Sequence, residues 1–288
     1  MSGSIRELKR RLKSIATTEQ MTKAMKTVAV SKYSKALALA EDYKAYADQC
    51  EHLLSLLGGP EPVTGEDESG DPGAEKGVCY VVITGNRGLC GMYNLELMRY
   101  LQSLIDGEDR KVSIVMCGKW GQENAGQLTG AEVIRDFTLH DMPDYGQARA
   151  LADYMMQLYR SGAYDRVAFV IQRFQNVLVQ VPETDPFPPK QEQTAGEIQR
   201  DYVFLPDRQA LRQELTELCI AAYVYRLLLN CAKGVHGATL AAMRTAADNS
   251  GEMYEELSQR LNRLRQMSAT TEVIELSGAA AAEQESGA

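Results

Sequence analysis

SIRELKRRLKSIATTEQMTKAMKTVAVSKYSKALALAEDYKAYADQCEHLLSLL, residues 4–57, contains neither glycine nor proline and is rich in Ala, Leu, Lys and Met. Ile5, Leu8, Leu12 and Ile15 recur in alternating steps of three and four. After a drift through Met21, Met25 and Val28, the spacing returns at Ala36, Leu39, Tyr43, Tyr46, Cys50, Leu53 and Leu57. A narrow apolar stripe with that step is a coiled-coil seam. Gly58-Gly59-Pro60 ends it. One helix of this length is about 80 Å long, well beyond an ordinary globular helix, and it cannot bury its stripe alone.

The other end of the chain supplies a partner. After Pro206 the pattern is helical to about Leu276, with Leu211, Leu215, Leu218, Ala222, Tyr225 and Leu229, then Met243, Ala247, Ser250, Tyr254, Leu257, Leu261 and Leu264. The register slips near His236 and Leu240, a four-residue step that locally changes a supercoil. Gly234 and Gly237 lie there too, each costing about 1 kcal/mol relative to Ala inside a helix.

Between the helices the period changes. VCYVVI (78–83), KVSIVMCG (111–118), AEVIRDF (131–137) and RVAFVIQRF (166–174) read as strands. They alternate with helical stretches at 95–105, around 121–128 and at 146–160, a pattern that implies a parallel sheet covered by helices. VLVQVP (177–182) and DYVFLP (201–206) read as further strands. The expected organisation is therefore an N-terminal helix (1–57), an acidic Gly/Pro-rich linker (58–77), a central Rossmann-like α/β domain (78–206), a C-terminal helix (207–276) and an Ala-rich tail (277–288) whose last residues, in AAEQESGA, are expected to project unstructured. The fold class is α/β, with the two long terminal helices paired as an antiparallel coiled coil. Their reach exceeds a domain of this mass, which makes the pair a shaft whose free end enters something else.

Composition narrows the function. The 288 residues carry 31 basic and 39 acidic side chains, a net of -8. Residues 1–35 hold nine of the basic side chains against Glu7 and Glu19, so a basic arm starts an acidic protein. No aromatic residue interrupts its first 32 positions, as base stacking would require, so an acidic protein surface is the expected partner rather than nucleic acid. The run Leu218–Leu229 is the most apolar and carries Arg226; no stretch approaches the ~20 apolar residues of a membrane span, and the basic N-terminus lacks the apolar block of a secretory signal. Cytosolic residence is expected. The six cysteines and three histidines show no metal-ligand spacing, and packed, reduced thiols are expected.

Thr84-Gly-Asn-Arg-Gly-Leu-Cys-Gly-Met-Tyr-Asn94 follows the first strand and opens a helix, the place where glycines bring backbone N–H groups to a phosphate. Gly85, Gly88 and Gly91 are spaced by three, however, which fits neither dinucleotide nor P-loop templates. Tight-turn packing is the plainer reading. No nucleophile elbow, paired carboxylates or Ser/His/Asp set appears. At this level a nucleotide-binding α/β enzyme with coiled-coil arms and a coiled-coil scaffold both stay open.

Three ordered blocks resemble the gamma subunit of F-type ATP synthase, bacterial type. They are Ile5-Arg-x-Leu-x-x-Arg-Leu-x-Ser-Ile15 with Thr22-Lys-Ala-Met-Lys26, Asn86-Arg-Gly-Leu-Cys-Gly91 with Asn94, and Asp248-Asn249 followed by Asn262-Arg-x-Arg265-Gln266 and Thr271-Glu272-x-Ile274-Glu275. The resemblance implies a noncatalytic rotor, at the cytoplasmic face of the cell membrane, whose shaft turns inside a hexamer of three alpha and three beta subunits. Its α/β domain would meet the epsilon subunit and the c-ring, with no cofactor, metal or catalytic residue and no membrane contact outside the Fo sector. On that basis Lys23, Met25 and Lys26 would face beta, and Arg263, Arg265, Gln266 and Thr270 would meet alpha and beta loops. Arg87 and Tyr202 would serve contacts with the c-ring or epsilon. The chain departs from the family pattern at Asn86, usually Asp, at Met92, and at Gly234-Val-His-Gly-Ala-Thr-Leu240, where a charged pair is missing and two glycines are added.

Overall fold

The computed structural model describes residues 2–56, 76–189 and 208–286. Helix α1 spans Ser2–Leu56. Strand β1 (Gly77–Ile83) leads to α2 (Tyr93–Asp106), β2 (Val112–Cys117), the short α3 (Lys119–Asn124) with a 3₁₀ turn at Ala125–Gln127, and β3 (Ala131–Phe137). Next come α4 (Tyr145–Arg160), β4 (Tyr164–Phe174), β5 (Gln180–Phe187) and α5 (Arg208–Ser286). The chain forms two compact units, one of Met1–Val28 with Ala242–Ala288 and one of Ala29–Ala241.

In the second unit the five strands lie in the order β3-β2-β1-β4-β5. The first four are mutually parallel and β5 is antiparallel to β4. Strand β1 is buried along its whole length, as a central strand covered on both faces must be. Its residues alternate between two cores: Cys79, Val81 and Ile83 meet Met155 of α4 and Ile220 and Val224 of α5, while Val78, Tyr80 and Val82 meet Leu97 and Leu101 of α2. One window within Glu214–Ser277 is long and apolar enough to span a membrane by length and composition alone. That departs from the sequence expectation, and the reason is packing: Cys219–Leu229 is largely buried, much of it against the sheet.

Strand β5 begins at Gln180 rather than Val177. The Asn176 side chain accepts from the Leu178 and Val179 N–H groups, and Val179 C=O accepts from Gln175 and Asn176, so those residues form a turn. Pro182 and Pro186 are tolerated because β5 is an edge strand. The second extra strand, 201–206, and most of the acidic linker lie outside the described residues.

Helices α1 and α5 pair antiparallel. The Cys219 thiol donates to Cys50 C=O at 3.0 Å, Arg226 pairs with Asp48 and Glu51, and Gly237 lies against Tyr33. In the other unit Glu19 lies over Gly251. The α5 seam follows most of the expected positions, with Ala222, Leu229, Met243, Ala247, Ser250 and Leu261 buried and Leu257 and Leu264 partly so, whereas Leu218 and Tyr254, also expected there, are exposed. The α1 seam corrects the expectation. It runs Ile5, Leu8, Leu12, Ile15, Glu19, Thr22, Lys26, Ala29, Tyr33, Ala36, Ala40, Tyr43, Ala47 and Cys50, without a drift. Small and polar side chains keep the step where apolar residues leave it, and Met21, Met25, Val28, Leu39, Tyr46 and Leu53 stay exposed.

One further expectation changes. The tail is not unstructured up to Ser286, because α5 continues to that residue; Ala279–Ala282 has the highest helix propensity of any residue type. The helix also runs unbroken through Gly234 and Gly237. A Cβ on Gly234 would sit 3.1 Å from Tyr93, and one on Gly237 would sit 3.3 Å from Phe174 and 3.4 Å from Tyr33. They are the close-approach points of α5 on the body.

Candidate functional site

In an open parallel sheet, ligands bind outside the carboxyl ends of the strands, where strand order reverses. Here that point lies between β1 and β4, and the chain itself fills it. A Cβ on Gly85, at the end of β1, would lie 3.1 Å from Val235 of α5. Gln172 of β4 donates to Tyr93 C=O at 3.0 Å, and Tyr93 donates its hydroxyl to Cys231 C=O.

The glycine turn is also committed to its own structure. The Gly85 N–H donates to the buried Asn94 side chain at 3.0 Å, and Asn94 donates in turn to Arg87 C=O and to the Cys90 thiol. Leu89 and Gly91 both take the left-handed conformation, at φ 65° and 59°. Glycine suits the second of these, whereas Leu89 is a held, exposed apolar side chain. The six cysteines are buried; loss of hydration pushes the thiols of Cys79, Cys219 and Cys231 up to about 12, far from reactive thiolates.

Among the described residues, every expected contact residue except Arg87 lies on the paired helices. Lys23 is exposed and donates to Glu19 at 2.6 Å. Met25 stands 36% exposed between Met21 at 60% and Val28 at 56%, while Lys26 is partly buried in the seam. On α5, Arg263, Arg265, Gln266 and Thr270 are exposed. Arg263, Gln266 and Thr270 share one shallow groove with Met267 and Thr271. The two sets are not brought together. With Glu19 level with Gly251, residues 23–26 lie about 25 Å along the coil from residue 263, at 1.5 Å per residue. They form two bands. Arg87 is exposed on the glycine turn of the other unit, and Tyr202 lies outside the described residues.

Over residues 19–28, then, α1 turns Glu19, Thr22 and Lys26 into the seam and Met21, Met25 and Val28 outward. Met21, Met25 and Val28 thus form an exposed apolar stripe on a helix whose seam is already filled. The sequence shows this only as a broken apolar spacing. The clue to the burial of Glu19, Thr22 and Lys26 is that they alone continue the three-four step.

The protein-family model described as ATP synthase matches residues 4–282. The ATP synthase gamma chain of Desulfitobacterium hafniense is 34% identical over 285 residues, covering 97% of this chain and 99% of its own length. That of Heliobacterium modesticaldum is 34% identical over 292 residues, covering 96% and 98%. Among solved structures, the chain is similar to one in the rotor of the Euglena gracilis mitochondrial ATP synthase, with a TM-score of 0.62 at 19% identity over 92% of this chain and 99% of that one. A central stalk and c-ring structure from Tetrahymena thermophila gives 0.58 at 22% identity over 78% and 99%. These two likenesses establish the fold. With the full-length match to bacterial relatives and two long helices flanking a plugged parallel sheet, the chain belongs to the ATP synthase gamma-chain family.

Proposed function

We propose that this chain is the noncatalytic central-stalk rotor of a bacterial F-type ATP synthase. The observation that carries the reading is the match of residues 4–282, which takes in both terminal helices. The paired helices turn within a ring of three alpha and three beta subunits, and the α/β unit meets epsilon and the c-ring. Rotation makes the beta sites differ in turn, a population shift imposed mechanically. The chain is peripheral, at the cytoplasmic face of the membrane.

The two bands have distinct parts in this reading. Lys23, Met25 and Lys26 face beta, with Met21 and Val28 extending the apolar contact; flexible methionines suit a surface that repacks as it passes each copy. Arg263, Arg265, Gln266 and Thr270 meet alpha and beta loops, and Arg87 and Tyr202 serve the c-ring or epsilon. Exposed pairs such as Arg11–Glu7 contribute only about 0–1 kcal/mol, so they exchange readily. A buried pair costs about 3–5 kcal/mol to break and would hold the rotor in place.

The test is native mass spectrometry of the tagged chain purified from its host membranes. One copy with three each of two larger subunits is the expected composition. Recovery only as monomer or homodimer, under conditions that keep other ATP synthases intact, refutes the reading.

A further inference from the structure

We infer that Asp141 is the clasp by which the α/β body holds both terminal helices, and thus a positioning residue for rotary coupling; this rests on the rotor reading above. Asp141 lies in the 138–144 loop between β3 and α4. Its carboxylate accepts from Lys32 of α1 at 2.5 Å and from the Asn86 amide at 3.2 Å. Its backbone C=O lies 2.9 Å from Nε2 of His236 on α5. A carbonyl can only accept, so Nε2 carries the proton. One residue therefore touches α1, α5 and the turn after β1.

The loop is built to stay put. Asp144 and Gln147 form a reciprocal capping box at the start of α4. Gln147 also donates to Thr138 C=O at 3.1 Å and accepts from the His140 N–H. Asn86 is fixed in turn: it donates to Leu139 C=O at 2.8 Å and accepts from the Lys119 N–H at 3.1 Å.

A rotor needs such a tie for a physical reason. The apolar contacts of α5 on the body, at Val235 on Gly85 and Gly234 on Tyr93, resist separation, but apolar attraction is non-directional and resists twisting of a helix about its own axis weakly. Hydrogen bonds have direction. By holding a side chain of α1 and one of α5 at a single rigid point, Asp141 fixes both helices against turning relative to the body.

The experiment uses the whole enzyme in inverted membrane vesicles, comparing ATP-driven ion pumping with ATP hydrolysis. Lys32 and Asp141 keep 34% and 30% of their side chains exposed, so Lys32→Gln and Asp141→Asn are mild changes. Each is expected to leave hydrolysis nearly unchanged and to lower ions pumped per ATP by about fivefold, the population change that loss of one such tie produces. The exchange variant, Lys32→Asp with Asp141→Lys, is expected to recover pumping. A merely structural role would lower assembly without changing ions per ATP. Normal pumping per ATP in both single variants, or an exchange variant no better than they are, overturns the clasp. Absence of the unmodified chain from an alpha–beta complex would instead overturn the rotor reading itself.

Discussion

Asn86 and Asp141 form a pair whose chemistry allows only certain substitutions. The Asn86 amide donates to the carboxylate; an Asp there, as the family pattern has it, would set two carboxylates about 3 Å apart with one Lys between them. Asn86→Asp is therefore expected to destabilise the chain by about 1–2 kcal/mol, read as a lower urea midpoint at pH 8 that recovers on acidification as one carboxylate is neutralised. A midpoint equal to that of the unmodified chain would mean that the turn repacks. His236 gives a second pH effect. Burial first, opposed by its bond to Asp141 C=O and reinforced by the nearby Lys32 charge, lowers its pKa below 6.5. The unfolded chain then binds more protons at this site than the native one, so this contribution is complete above pH 6.5 and declines as pH falls below it. The Asp141 carboxyl, held low chiefly by the Lys32 hydrogen bond, loses its contribution only at more acidic pH. The expected outcome is a stability loss as pH falls below about 6.5 that His236→Gln reduces; an unchanged slope in that variant would assign the loss elsewhere.

On the scale of elements, burial rather than hydrophobicity tells seam from surface on the long helices. Leu261 is 8% exposed and Met267 is 60% exposed on the same helix. Leu261→Ala is expected to cost about 2–3 kcal/mol, near the low end for buried leucines because the site lies between only two helices. Met267→Ala should stay within about 0.5 kcal/mol in the isolated chain, as followed by thermal unfolding. Equal costs at both positions would mean that the α5 seam is misplaced. The sequence made most of the α5 seam legible because Met243, Ala247, Leu257, Leu261 and Leu264 keep the step with apolar side chains, although Tyr254, on the same step, is exposed. The strands were legible for a related reason: a central parallel strand is apolar on both faces, as at 78–83. The α1 seam was legible only at Ile5–Ile15 and at Ala36, Tyr43 and Cys50. Between these stretches Glu19, Thr22 and Lys26 occupy it, and no apolar spacing can point to a polar seam. The tail was misread because it runs past the usual end of the family pattern, although alanine propensity carries a helix there without any partner. The Asp141 clasp was illegible, since its partners are 55, 109 and 95 residues away in sequence.

Across the whole molecule, charge is distributed against the net sign. The first 35 residues carry a surplus of seven positive charges on a chain of net -8, leaving -15 for the other 253 residues. Arg6, Lys9, Arg10 and Lys13 are exposed, so their field reaches solvent and is screened over about 10 Å at 0.1 M salt. Such an arm adds little to the stability of a finished contact, because exposed pairs contribute about 0–1 kcal/mol each, but it accelerates encounter with an acidic surface. The rate at which the chain joins an alpha–beta ring is therefore expected to fall about tenfold or more between roughly 0.05 and 0.5 M salt. Changing Arg6, Lys9, Arg10 and Lys13 to Gln should flatten that dependence while leaving the melting temperature of the assembled complex nearly unchanged. Stopped-flow association at several ionic strengths separates the two effects. A rate independent of salt would remove steering as the arm's role. A complex that melts much lower in the Gln variant would show instead that these side chains are buried in the assembled ring, where each lost pair carries a far larger cost.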